Sequence, residues 1–123
     1  MDIVITANKT LGEISAEFNR KFPYLKLDFF HHTHEPGKGN PATDRIDSKL
    51  TIKEAGNFDH DESFSINGHL KVRTLESHFQ EEYGIGCQVL RRSGGLWLQS
   101  TVTDNWTLTK QNEEGKLDSA PVE

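Results

Sequence analysis

Apolar residues recur along this chain at alternating and helical spacings that predict a regular series of strands and helices. Ile3 and Ile5 stand at alternate positions and share one face of a strand predicted over residues 2–6. Residues 24–30 alternate in the same way and predict a second strand. Between these strands, four apolar residues at helical spacing predict a helix that Pro23 ends; they are Leu11, Ile14, Phe18 and Phe22.

The second half of the chain repeats this pattern at an offset of 61 residues without a gap. Apolar residues fall on apolar counterparts, while the residues between them are mostly polar and unrelated. The matched pairs are Ile3 with Phe64, Ile5 with Ile66, Leu11 with Val72, Ile14 with Leu75, Phe18 with Phe79, and Phe22 with Tyr83. This repeated core pattern predicts two β-α-β units.

Each half continues beyond its β-α-β unit. Residues 44–56 have room for a short strand and a helical turn. In the second half, Ser93-Gly94-Gly95 predicts a hairpin turn into another strand, and a short helix follows residues 104–108. Residues 116–123 resemble a frayed tail.

The fold predicted from these elements is α+β. Each half has about 60 residues, a length at which an independent core is marginal. We therefore expect one domain over residues 1–123, in which repeat one (1–61) and repeat two (62–115) share a core. Two such β-α-β(-β) units suggest a two-layer sandwich, with helices packed on one sheet.

Charge and composition narrow the classes of function. The chain carries 14 basic and 19 acidic residues, a net charge of −5, so it gains no general attraction to phosphate backbones. Nucleic acid is therefore a poor default partner. The single cysteine excludes an internal disulfide, and neither a signal peptide nor an apolar run of about 20 residues is present. We expect a soluble, cytoplasmic protein without a membrane partner.

Residues 64–108 resemble a set of small bacterial proteins of unknown function. The recurring pattern is an apolar strand, an N-x-K-V turn, a T-L-E-x-x-F helix that ends in Gly, a Q-V strand and a D-x-x-T-L ending. The matching residues here are Asn67 to Val72, with one extra residue, then Thr74 to Gly84, Gln88-Val89, and Asp104 to Leu108.

The first half, with FPYLKLDFF and its Pro/Gly loop, looks like the version found in some Bacteroidetes relatives. The resemblance covers nearly the whole chain and implies a fold similar to the C-terminal domain of translation initiation factor three. It carries over no catalytic residue, and the acidic charge speaks against that factor's ribosomal role.

A histidine cluster precedes the longest predicted loop. His31, His32 and His34 stand at the end of the second strand, where alternate side chains share a face. His32 and His34 are therefore candidate ligands of one metal ion. A zinc site usually needs three or four ligands. Candidates for the third are Glu35, His60 and Asp61, but none stands at a fixed spacing that completes the site. A solvated polar strand end is the simpler interpretation, and no cofactor is predicted.

Three residues of the predicted hairpin form a second candidate site. Arg91 and Arg92 lie near Trp97 across the turn, an arrangement suited to an anion or a nucleotide base. The alternative is an ordinary cross-strand pair on an exposed sheet face. Cys87 occupies a strand position that faces the core, which favours an inert thiol over a nucleophile.

No motif with catalytic spacing is present, and polar residues do not cluster at predicted core positions. The halves diverge in the loop from His31 to Ala42, and long loops on rigid scaffolds often carry function. We therefore predict a small non-enzymatic protein that binds a protein partner or associates with itself. The alternatives are a nucleic-acid-binding module of the initiation-factor type and a metal-binding protein that uses the histidine cluster.

Overall fold

A computed structural model describes the chain over residues 3–31, 44–56 and 62–119. These ranges contain helices and antiparallel strands, so the α+β class predicted from the sequence is confirmed. In chain order the elements are β1 (Ile3–Ile5), α1 (Leu11–Lys21), β2 (Leu25–Phe30), α2 (Ile52–Ala55), β3 (Glu62–Ile66), α3 (Val72–His78), β4 (Gly86–Ser93), β5 (Leu96–Gln99) and α4 (Leu108–Asp118). Helix α3 continues directly into π-helical turns over Phe79–Tyr83.

The helix ends follow local sequence signals. The Thr10 side chain accepts a hydrogen bond from the backbone N–H of Glu13 (3.1 Å), and the Glu13 carboxylate accepts one from the N–H of Thr10 (3.4 Å). These two hydrogen bonds form a capping box, and Thr51 and Glu54 form another at the start of α2. After the π-helical turns, Gly84 adopts a φ of 67°, the left-handed conformation that ends helices at glycine.

The strand pairing differs from the single sheet that the repeats suggest. The described strands form two antiparallel sheets, β1 with β3, and β2-β4-β5. Within each β-α-β unit the two strands do not pair with each other; each pairs with the corresponding strand of the other half. In the larger sheet Leu27 lies opposite Val89, and Phe29 lies opposite Cys87. This reciprocal register fits an approximate twofold relation between the halves.

Two expectations from the sequence are wrong at the ends of the halves. Within residues 44–56, where the repeat predicts a second hairpin strand, the structure has isolated bridges at Arg45 and Thr51 and no strand. Residues 116–118 belong to α4 rather than to a frayed tail. The last turn of α4 is held against the hairpin because the N–H of Gly94 donates to the carbonyl of Asp118 (3.2 Å).

The two halves share one core, as predicted. A single cluster of buried apolar side chains includes residues of α1, of α3 and of both sheets. In the six matched pairs every side chain is buried except that of Phe64, which is partly buried against the cluster. Phe18 and Phe79 are both fully buried, so their predicted equivalence in burial is confirmed. Superposition of the two halves stays a prediction.

Helix α4 approaches the sheet closely at Gly115. A Cβ atom at this position would lie 2.8 Å from the Cβ of Tyr24 and 3.1 Å from the Cγ of Arg91. An exchange of glycine for alanine inside a helix ordinarily stabilises by about 0.5–1 kcal/mol. Here we expect Gly115→Ala to lower the free energy of unfolding by about 1–3 kcal/mol, because the added methyl overpacks the contact.

Chemical denaturation measures this effect, with Gly95→Ala as the matched control. A Cβ at Gly95 meets no atom within 4 Å, so its free energy of unfolding should change by no more than about 0.5 kcal/mol. A stabilised Gly115→Ala protein would show that α4 does not pack as described.

Candidate functional site

The three hairpin residues predicted to form an anion or base site do not all lie on one face of the sheet. Arg92 lies opposite Trp97 in the β4–β5 pairing, whereas Arg91 lies opposite Leu98. Successive residues of a strand point to opposite faces of a sheet. Arg91 therefore projects towards α4, while Arg92 and Trp97 project from the other face. The predicted grouping of Arg91 with Arg92 and Trp97 is wrong.

Arg92 and Trp97 form an ordinary cross-strand arrangement on the outer face of the larger sheet. The Nζ atom of Lys26 lies 5.2 Å from the centroid of the Trp97 ring, within the range of a cation–π contact. The Nε atom of Arg92 donates to the carbonyl of Gly94 at 3.0 Å. Both cations are thus engaged within the chain, as the simpler interpretation of the sequence expects.

Arg91 connects the sheet to α4. Its guanidinium donates to the Oε1 atom of Gln111 at 3.2 Å, and its Nε atom lies 3.5 Å from the Oδ2 atom of Asp118. The guanidinium carbon also lies 5.7 Å from the centroid of the Trp106 ring. These contacts give Arg91 a structural role beneath the helix.

The histidine cluster falls mostly outside the described residues. His31 is exposed, and its backbone N–H donates to the carbonyl of Asp44 at 3.0 Å. His32 and His34 lie outside the described ranges, so their predicted role as metal ligands stays a prediction. Within the described ranges, no group of three or more His, Cys, Asp or Glu side chains is placed to hold a metal ion.

Cys87 lies in the core, as predicted from its strand position. Its side chain is fully buried opposite Phe29. Burial raises the pKa of the Cys87 thiol well above its usual value, and the nearby carboxylates of Glu76 and Asp28 raise it further. The thiolate is the reactive form of cysteine, so this thiol is unreactive at neutral pH.

Strand β5 is the most exposed apolar element of the larger sheet. It lies at the edge of the β2-β4-β5 order, and no described strand pairs with its outer side. The N–H of Ser100 donates to Val89 on β4, and backbone groups of alternate residues point to opposite edges of a strand. The backbone N–H and C=O of Trp97 therefore point away from β4.

Exposed apolar side chains accompany this open edge. The described ranges contain five exposed large apolar residues, and four of them lie on β5, in the loop after it, or in the last turn of α4. These four are Leu96 (66% exposed), Leu98 (47%), Val102 (91%) and Leu117 (68%), and we call them the β5 patch. The fifth, Val4, is 42% exposed and lies on β1 in the other sheet. Exposed apolar residues beside an open strand edge are typical of interaction sites.

A small open pocket adjoins the β5 patch. Its volume is about 200 Å³, and it lies between β5, the loop that follows β5, and the guanidinium of Arg91. The pocket is lined by Arg91, Leu98, Gln99, Ser100, Val102 and Thr103. Mixed apolar and polar walls of this size suit one side chain of a bound polypeptide.

Buried polar groups hold the end of β5 in place, contrary to the expectation that none cluster in the core. The hydroxyl of Ser100 donates to the carbonyl of Val89 (2.7 Å), and the N–H of Val89 donates to the carboxyl group of Glu76 (2.9 Å). Glu76 is 5% exposed and Asp104 is 4% exposed. The Asp104 carboxylate accepts a charge-assisted hydrogen bond from Arg73 at 3.1 Å.

The environment of Glu76 raises the pKa of its carboxyl group to about 8. Burial is the main cause of this increase. The hydrogen bond from Val89 lowers the pKa, repulsion from the Asp104 carboxylate raises it further, and the positive charge of Arg73 lowers it. A carboxyl group that holds a proton near neutral pH can act as a general acid. Glu76 does not line the pocket, however, so its geometry favours a structural role over a catalytic one.

Two features of the sequence, absent from the predictions above, indicate the β5 edge and the buried Glu76. Residues 96–103 read LWLQSTVT and contain no charged residue, proline or glycine. An edge strand without these protective residues is a signal of pairing with another chain. Glu76 stands four residues after Val72 and three before Phe79, on the apolar stripe of its helix. A carboxylate at that spacing signals a buried polar group.

No protein-family model, curated protein or solved structure matches this chain. No helix within the described ranges combines the length and the apolar character needed to cross a membrane. Among the described residues, the β5 patch is the surface feature that most clearly indicates a function.

Proposed function

We propose that this chain is a non-enzymatic protein-interaction module whose partner adds an extended segment to the outer edge of β5. The observation that carries the proposal is the coincidence of an open strand edge with exposed Leu96 and Leu98 on that strand. Pairing of an extended segment with an exposed sheet edge is a recurrent mode of recognition. Backbone hydrogen bonds supply affinity in this mode, and side-chain contacts at alternate residues supply specificity.

The β5 edge offers groups for both the backbone hydrogen bonds and the side-chain contacts of such recognition. The outward N–H and C=O of Trp97 are one donor and one acceptor for the added strand. Leu96 and Leu98 point to one face of the sheet, so a partner with apolar residues at alternate positions would cover them. The pocket beside Arg91 would then receive one further side chain of the bound segment.

The interaction is tested by removing the outward donor alone. Proline lacks a backbone N–H and is tolerated on an edge strand where that N–H faces solvent. Trp97→Pro therefore leaves the pairing with β4 in place, while Trp97→Ala removes the same side chain but keeps the N–H. The probe is a phage-displayed library of random peptides of about ten residues, selected on the immobilised wild-type protein.

We expect selected peptides to carry apolar residues at alternate positions, because Leu96 and Leu98 lie on one face. Fluorescence anisotropy should show binding to Trp97→Ala and roughly a fivefold or greater loss of affinity for Trp97→Pro, since one backbone hydrogen bond contributes about 1 kcal/mol or more. Equal affinity for the two variants would contradict edge pairing. Micromolar binding of duplex DNA or structured RNA in the same assay would favour the nucleic-acid alternative instead.

A further inference from the structure

We infer that the occupant of the β5 edge is a second copy of this chain, so that two β5 strands pair antiparallel across a twofold axis. The inference deepens the proposed function and depends on it, because both use the same strand edge. Twofold dimers are the most common assemblies of soluble proteins, and their interface must be complementary to itself.

The absence of charge along the edge favours a second copy over a different partner. Residues 96–103 carry neither Lys, Arg, Asp nor Glu, in a chain whose net charge is −5. In a twofold interface between antiparallel strands, a charged residue near the axis lies close to the same charge in the second copy, which destabilises the pair. An uncharged edge avoids this repulsion. A charged partner would instead be matched by complementary charges, and this strand offers none.

The distribution of apolar residues points in the same direction. The β5 patch contains all but one of the exposed large apolar side chains in the described ranges. Leu117 belongs to this patch because the last turn of α4 is tied to the hairpin through Gly94 and Asp118. Two copies that meet at β5 would place two such patches against each other, an apolar interface core that excludes water.

The outward backbone groups of Trp97 define the register. In an antiparallel pair, residues that exchange both hydrogen bonds lie directly opposite each other. A twofold axis beside Trp97 places this residue opposite Trp97 of the second copy. Leu96 then lies opposite Leu98 of the second copy, and Leu98 lies opposite Leu96 of the second copy. All four leucines project from one face.

The resulting sheet is continuous across the dimer. Each copy contributes the order β2-β4-β5, so the two β5 strands become the central pair. Helix α4 packs on the face from which Arg91 and Leu98 project, and a twofold axis perpendicular to the sheet keeps both copies of α4 on that face. The four leucines are then enclosed between the two helices.

Sedimentation equilibrium of the full chain tests the dimer. We expect the wild type to sediment at twice the chain mass of 13.9 kDa at a loading of roughly 100 μM, where a micromolar dimer is mostly associated. Leu96→Lys should sediment at the monomer mass, because its charge would lie against an apolar leucine. Val4→Lys makes the same change of charge at the exposed residue on β1 and should leave the dimer intact.

A mixing experiment tests the register. Leu98→Glu alone should also be monomeric. An equimolar mixture of Leu96→Lys and Leu98→Glu should recover a dimer, because the introduced lysine and glutamate lie opposite each other while the remaining leucines pair. Dimers from either variant alone, or no recovery in the mixture, would overturn this register.

The outcomes separate this inference from the proposed function. A wild-type protein that stays monomeric while its selected peptides distinguish Trp97→Pro from Trp97→Ala would overturn the second copy and leave the interaction module standing. A dimer that Leu96→Lys does not weaken would place self-association elsewhere on the molecule and overturn the β5 pairing.

Discussion

Replacement of Phe79 by alanine is expected to lower the free energy of unfolding by about 3–5 kcal/mol. The Phe79 ring is fully buried at the centre of the shared core. Its centroid lies 5.3 Å from that of Phe29 on β2 and 5.1 Å from that of Tyr83, in tilted and edge-on arrangements. Truncation removes these contacts and leaves a cavity that elements of both halves would have to fill. Urea denaturation followed by circular dichroism measures the change.

Two further variants serve as comparisons for Phe79→Ala. Phe18→Ala removes the counterpart of Phe79 in the repeat and should cost a similar amount, because Phe18 is also fully buried. Glu82→Ala removes an exposed side chain that lies outside the β5 patch and should change the stability by no more than about 0.5 kcal/mol. An unchanged denaturation midpoint for Phe79→Ala would contradict the shared core.

Replacement of Glu76 by glutamine is expected to remove a pH dependence of stability that spans several pH units. In the unfolded chain this carboxyl group loses its proton near pH 4.5, while in the folded protein its pKa is about 8. Between these values the folded state binds one proton more than the unfolded state. The free energy of unfolding therefore falls as pH rises from about 4.5 to about 8, and this contribution is constant outside that window.

The amount lost across this window is a few kcal/mol, since each unit of pKa difference corresponds to about 1.4 kcal/mol. Glu76→Gln retains an oxygen acceptor for the N–H of Val89 but carries no charge to bury. We expect this variant to be less sensitive to pH and to be more stable than the wild type above pH 8. Denaturant midpoints between pH 4 and pH 9 measure the difference between the two proteins.

Glu81→Gln is the matched control for this experiment. It makes the same exchange of glutamate for glutamine in the π-helical turns that continue α3, at a residue that is exposed. Its denaturation midpoints should follow those of the wild type at every pH. Parallel curves for Glu76→Gln and the wild type would show that the carboxyl group of Glu76 does not stay protonated in the folded state.

Much of the core was readable from apolar spacing. Period-two and helical patterns are local properties, and a residue such as Phe18 or Phe79 is specified as buried by its neighbours along the same helix. The capping box at Thr10 and the terminating Gly84 were readable for the same reason. The repeat predicted in addition that Phe18 and Phe79 are both buried, and both are.

Less of the candidate site could be predicted from the sequence. The separation of Arg91 from Arg92 follows from strand alternation, but the contact of Arg91 with Gln111 depends on where α4 docks. Glu76 lies on an apolar stripe, yet its backbone partner Val89 is on a strand that meets α3 only in the folded chain. Long-range partners of this kind leave no fixed spacing along the chain.

By itself, the sequence determined most of the segments that form helices and strands, which of their faces are apolar, and that the two halves need a common core. The tertiary structure alone decided that β1 pairs with β3 and β2 with β4, that β5 becomes an edge, and that its apolar residues stay exposed. Apolar periodicity specifies the face of a strand but not its neighbour. The packing of both halves together decides which strands become neighbours. The same packing leaves β5 at the edge of its sheet, where we propose that the protein binds its partner.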